Sequence, residues 1–172
     1  ESSRNVFYTG AAPNQQAIPA TDYFLEELGV EKFALLGTDY VYPRTTNNIL
    51  EAYLVSKGIA KEDIFVNYTP FGHSDWSKIV ADVVALGADG KKVGVISTIN
   101  GDANIGFYKE LAAAGVSADE IPVVAFSVGE EELSGLDTSN LVGHLAAWNY
   151  FQSADTPENA AFIERWKAFA GA

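Results

Sequence analysis

Apolar positions along this chain fall into two alternating patterns. Short continuous runs at 33–36, 64–68, 92–97 and 122–126 read as buried strands, and 141–147 reads as a further one. Longer stretches with helical spacing separate them, at 15–28, 44–56, 74–86, 104–114 and 157–170. Within 74–86, Trp76, Ile79, Val80, Val83 and Val84 make an apolar stripe at one-turn intervals. Gly29, Gly58 and Gly115 stand where three of these helices should stop. Pro19 lies near the first turn of its helix, where a missing N–H is tolerated. The short apolar segment 6–8 reads as a leading strand, and 130–133 as a single helical turn. Regular alternation of strand and helix implies right-handed βαβ units and a mostly parallel sheet. The expected class is therefore α/β, a three-layer sandwich with helices on both faces. No linker, repeat or low-complexity stretch divides residues 1–172, which read as one domain.

In such sheets ligands bind beyond the carboxyl ends of the strands. The loops expected there are 37–43, 69–75, 97–102 and 127–131. The first runs Gly37-Thr38-Asp39-Tyr40-Val41-Tyr42-Pro43 and carries two tyrosines two positions apart. Two aromatic faces suit a flat, uncharged ligand; the plainer role is to pack the loop onto its helix. Asp39 beside them suits a loop-orienting role through its own backbone. Thr98, Asn100 and Asp102 follow another buried strand. Asn100 offers both a donor and an acceptor to a ligand, with Thr98 beside it. Asp102 suits the start of a helix, where a carboxylate meets the positive end of the dipole. Ser127 ends the 123–126 run, either as a ligand hydroxyl or as a cap, with Glu130 completing an S-x-x-E box.

Composition narrows the function. The chain has 172 residues, 48% hydrophobic and 20% charged, enough for an ordinary core. Its formal net charge of -12 argues against nucleic acid or an anionic membrane surface as a partner, since either needs a basic patch. No run of ~20 apolar residues is present, so no membrane-spanning helix is expected. There is no GxGxxG or GxxxxGK[ST] loop for phosphates, and Lys91-Lys92 precede a strand, at the opposite edge. With Cys 0 and His 2, thiolate sites, disulfides and a His-rich metal centre are excluded. His73-Ser74-Asp75 is consecutive, whereas triad members usually converge from separate positions; Ser74 or Asp75 reads better as a helix cap. No GxSxG elbow occurs. No enzyme activity, metal or cofactor is expected. With Met 0 the chain is expected to be processed or excised from something longer, and an export signal would lie upstream.

Tyr40-Val41-Tyr42-Pro43-Arg44 resembles the Tyr-x-Tyr-Pro-Arg segment of urea-type and short-chain-amide-type solute-binding proteins. These are type I periplasmic binding proteins that serve ABC transporters. Val6-Phe7-Tyr8-Thr9-Gly10-Ala11-Ala12-Pro13-Asn14-Gln15-Gln16 is similar to that family's lead into its second lobe. Ser97 to Asp102 and Trp148-Asn149-Tyr150-Phe151 extend the match over nearly the whole chain. The resemblance implies a Rossmann-like second lobe, with the first lobe and a later segment outside this sequence. It implies capture of a small neutral, urea-like amide between two lobes, delivery to an ABC permease, and a periplasmic or extracellular location. It points to Tyr40, Tyr42 and Ser127 as ligand-binding residues, with Asn100, Thr98 and Asp102 behind them. Related amino-acid-binding proteins tend to carry a carboxylate near the place of Ser127, for the ligand's ammonium. Glu130 and Glu131 lie close by, so a branched-chain amino acid is the rival ligand. An intracellular amide-sensing regulatory domain of the same fold is the other alternative. A lone lobe is expected to bind weakly and to form non-native dimers through exposed aromatics, with Trp148, Tyr150 and Phe151 as candidates.

Overall fold

β1 (Lys32–Thr38) is buried along its entire length, as a central strand of a parallel sheet must be. The computed structural model describes residues 3–135 and 137–171. In it β1 pairs with β2 (Ile64–Thr69) on one side and β3 (Val93–Thr98) on the other. β4 (Val123–Ala125) and β5 (Leu145–Ala146) complete the order β2-β1-β3-β4-β5, all parallel. Register runs through Phe33↔Ile64, Lys32↔Val93, Val95↔Val123 and Val124↔Leu145.

Strand alternation sorts the core into two layers. Ala34, Leu36, Val93, Val95, Val123 and Ala125 pack with α3 (Ser77–Leu86) and α4 (Ala103–Ala113). Phe33, Leu35, Ile96, Val124 and Phe126 pack with α1 (Ala17–Glu26) and α2 (Val41–Ser56). This is the expected three-layer α/β sandwich with helices on both faces. α5 (Pro157–Ala170) stands apart, since Asn159 is its one buried residue. Its Phe162, Trp166 and Phe169 form an exposed aromatic ladder that continues from Tyr150.

Several boundaries differ from those expected. Residues 6–8 form no strand: all three are exposed, Phe7 at 94%, so the run has no buried face. α1 is shorter than 15–28 by two residues at each end. α2 opens at Val41, ahead of the expected Arg44, because Pro43 fits within a first turn. α3 starts at Ser77; Asp75 accepts from the Ser77 N–H (3.3 Å) and hydroxyl (2.7 Å) just ahead of it. The strand expected at 141–147 shrinks to Leu145–Ala146. Residues 141–144 turn instead, with Gly143 at φ 92 and the His144 N–H donating to the Leu141 carbonyl at 3.0 Å.

At the amino edge of the sheet, Lys32 is buried between Asp63 (3.4 Å) and Asp89 (2.9 Å), and its ammonium also donates to the Leu86 carbonyl at 2.9 Å. Lys91 pairs with Asp63 at 2.9 Å. The hydrogen bond to Asp89 holds the Lys32 ammonium above its ordinary 10.5. Lys91 holds Asp63, and Lys32 holds Asp89, below the ordinary 3.8. The lowered carboxylates stabilise the fold above 3.8 and lose that contribution as pH falls through their folded values. The raised lysine contributes below 10.5 and loses it as pH rises through its folded value. We expect Lys32→Met to unfold at a lower temperature than the parent at pH 7, with the gap narrowing below about pH 3.8 as the stranded carboxylates protonate. Thermal unfolding followed by circular dichroism across pH checks this; a gap independent of pH would show that packing alone matters.

Candidate functional site

The strand order reverses between β1 and β3, which run side by side and send their crossovers to opposite faces. A crevice at the carboxyl ends of such a pair is where open α/β sheets bind ligands. The residues following β1, β3 and β4 meet at this edge.

The loop after β1 is tightly fixed. The Asp39 N–H donates to the Thr69 carbonyl at 2.7 Å, and the Tyr40 N–H to the Thr38 carbonyl at 2.9 Å. Tyr40 is the extended residue that caps α2 (φ -158°, ψ -175°). Gly37 is obligatory by crowding: a Cβ there would lie 2.5 Å from Thr98 Oγ1 and 2.7 Å from Pro43 Cβ. Tyr40 and Tyr42 are both half-buried, with ring centroids 6.1 Å apart and planes at 55°. Asp39 forms an ion pair with Arg44, whose guanidinium lies 4.6 Å from the centre of the Tyr68 ring. That partner holds the Asp39 carboxyl below the usual carboxylate range.

Ser127 meets Tyr42 across the edge. Burial pushes the Tyr42 phenol up, and the nearby Ser127 side chain opposes the shift. The S-x-x-E box is not formed. Glu130 instead accepts from the backbone N–H groups of Gln152 and Ser153, the latter at 3.0 Å, and Ser153, through its side chain first and its N–H second, holds the carboxyl low. The Asn100 backbone N–H donates to Thr38 Oγ1 at 2.9 Å, tying the β3 loop to β1. Its side-chain amide donates to the Thr98 carbonyl at 2.9 Å, and its oxygen accepts no hydrogen bond among the described residues. Thr98 is wholly buried, and its hydroxyl donates to the Leu36 carbonyl at 3.0 Å, so it braces the site from beneath. Asp102 is exposed at the head of α4 and makes no capping hydrogen bond. Asn104 satisfies that turn instead, donating to the Ile99 and Gly101 carbonyls.

Three features escaped the sequence reading. Phe71, 64% exposed in the loop after β2, lies 5.1 Å from Tyr40 between ring centroids. Its signal was an aromatic between Pro70 and Gly72 on a loop expected at this edge. Asn47, from α2, is buried beneath the loop beside Thr98 and Tyr68, with its Nδ2 unpartnered. A hollow of about 290 Å³ opens beside Tyr42, bounded by Ala11, Pro13, Gln16 and Val41. Among the exposed aromatics, Trp148 and Tyr150 stand out as expected and Phe151 is half-buried.

A parallel sheet whose switch point is lined by aromatic, hydroxyl and amide groups has the layout in which open α/β sheets hold small molecules. The chain belongs to the periplasmic binding protein domain family, whose pattern matches residues 1–172. The fold is similar to that of a solute-binding protein of an ABC transporter from Rhodopseudomonas palustris HaA2, in complex with p-hydroxybenzoic acid. That match has 22% identity and a TM-score of 0.77, over 95% of this chain and 43% of that one. An ABC-type branched-chain amino acid transporter from R. palustris CGA009 matches at 17% identity and TM-score 0.67, over 99% of this chain and 44% of that one. A fatty acid ABC transporter substrate-binding protein from Thermomonospora curvata matches at 13% and 0.71, over 97% and 42%. The chain thus spans about two fifths of the length of these proteins. The family and these relatives are binding proteins rather than enzymes, in line with the sequence analysis.

Proposed function

We propose that this chain is one lobe of a two-lobed ABC-transporter solute-binding protein, and that the edge built by Tyr40, Tyr42, Ser127 and Asn100 captures urea or a short-chain amide. The carrying observation is electrostatic. Asp39 is neutralised by Arg44, and Glu130 is committed to two backbone N–H groups. At Tyr40, Tyr42, Ser127 and Asn100 themselves, the groups left for a ligand are neutral rings, hydroxyls and an amide. A planar amide has little apolar area, so each of its buried polar groups needs a partner, and these groups can supply them. A second lobe closes over the ligand, and the protein delivers it to a permease from the periplasm or the cell exterior.

One observation favours a branched-chain amino acid instead. Asp102 is a rim carboxylate with no bonded partner among the described residues, able to accept from an ammonium. Calorimetry of the whole two-lobed protein against urea, acetamide and leucine separates the readings. We expect one of the amides to bind and leucine not to; preferential leucine binding would transfer the assignment to the amino acid. The 172-residue lobe alone should bind either amide only at millimolar concentration or worse, because half a pocket does not offset the cost of association. Submicromolar amide binding by the lone lobe would contradict the two-lobe reading.

A further inference from the structure

We propose that Phe71 is a positioning residue for Tyr40, and that ligand affinity at this edge depends on Phe71 through that ring. The inference rests on the reading that Tyr40 faces the ligand. The Tyr40 hydroxyl makes no hydrogen bond among the described residues, so no polar contact sets the ring's direction. Its aromatic neighbours are Tyr42 at 6.1 Å and Phe71 at 5.1 Å, the latter inclined at 40°. A phenol without an anchored hydroxyl takes its rotamer from packing alone, and here Phe71 supplies the closer wall.

Phe71 is held out from the core to do this. An isolated phenylalanine that is 64% exposed forgoes most of the burial its ring could gain. The turn around it is closed by a backbone bond: Gly72 adopts φ 71, and the His73 N–H donates to the Pro70 carbonyl at 3.2 Å. Behind the turn, the His73 ring stands edge-on to Trp76 at 5.0 Å and 82°, and Trp76 is 1% exposed. The far side of the turn is thereby anchored in the core. Tyr40 and Phe71 follow Thr38 and Thr69, which are register partners of β1 and β2, so the sheet itself sets the spacing of the two loops. The result is a Tyr40 ring ordered before ligand arrives, which lowers the ordering cost of binding.

The test is calorimetric titration of the whole two-lobed protein with acetamide and with urea, for Phe71→Ala, Phe71→Trp, Tyr40→Ala and the Phe71→Ala/Tyr40→Ala double variant. We expect Phe71→Ala to weaken binding roughly three- to ten-fold with an unchanged unfolding temperature. Phe71→Trp should restore most of the affinity, and Phe71→Ala should have no further effect once Tyr40 is alanine. A residue that merely stabilised the fold would shift the unfolding temperature and would act equally in both backgrounds. Wild-type affinity in Phe71→Ala while Tyr40→Ala is weakened overturns this inference and leaves the proposed site standing. So does an equal loss in both backgrounds. No binding of either amide, or a Tyr40→Ala variant with full affinity, overturns the proposed function and this inference with it.

Discussion

Gly37→Ala should lower stability and ligand affinity together. The new Cβ would sit 2.5 Å from Thr98 Oγ1, 2.7 Å from Pro43 Cβ and 3.4 Å from Asn47 Nδ2. None of these can easily retreat. Thr98 is buried and bonded to the Leu36 carbonyl, and Pro43 is a buried ring in the first turn of α2. Overpacking of this kind costs about 1–3 kcal/mol, a drop of several degrees for a domain of this size. Relief comes most readily by moving the start of α2, and that displaces the loop bearing Tyr40 and Tyr42. Thermal unfolding of the variant, with calorimetry against acetamide in the whole protein, measures both effects. Unchanged values of both would show that the loop yields without cost and that Gly37 does not set the site.

The tyrosines should divide by role. Tyr40→Ala and Tyr42→Ala each remove a half-buried ring from the edge. Loss of an aromatic contact worth roughly 0.5–1.5 kcal/mol, with water admitted, should weaken amide binding about ten-fold or more. Phenylalanine separates ring from hydroxyl. Tyr40→Phe should keep most of the affinity, because the Tyr40 hydroxyl has no protein partner to lose among the described residues. Tyr42→Phe should lose a large part of what alanine loses, because it removes the hydroxyl that stands near Ser127 and could meet the ligand beside it. Calorimetry on folded variants, checked by circular dichroism, decides it. Full affinity in both alanine variants would reduce the two rings to loop packing.

The architecture was largely legible because the core strands are buried on both faces and read as continuous apolar runs. Phe33 to Leu36 is the clearest case. Loops at the carboxyl edge followed from that, and so did the meeting of Tyr42 with Ser127. What failed did so where local pattern and tertiary context part. Val6, Phe7 and Tyr8 have strand-like composition, yet they meet no open ladder. Residues 141–144 are apolar enough for a strand, but Gly143 in a left-handed conformation turns the backbone. Thr98 and Asn100 are separated by one position and have different fates, one braced beneath the loop and one at its surface. A period-two pattern cannot tell them apart once the strand has ended. The Glu130 side chain has partners 22 and 23 positions away, a distance at which a capping box carries no information.

The all-parallel order also governs how this lobe reaches its native state. Among the described residues, no strand pairs with a neighbour through a hairpin. Phe33 must find Ile64, 31 positions on, and Lys32 must find Val93, 61 positions on, before β1 is bonded on both sides. Such non-local pairing makes folding slow relative to helical or hairpin-rich domains of similar size. Until both searches succeed, the Phe33–Leu36 run keeps at least one unpaired apolar edge, the state in which chains self-associate. The strand that supports the Tyr40–Tyr42 loop is therefore also one whose apolar run stays exposed while those searches last.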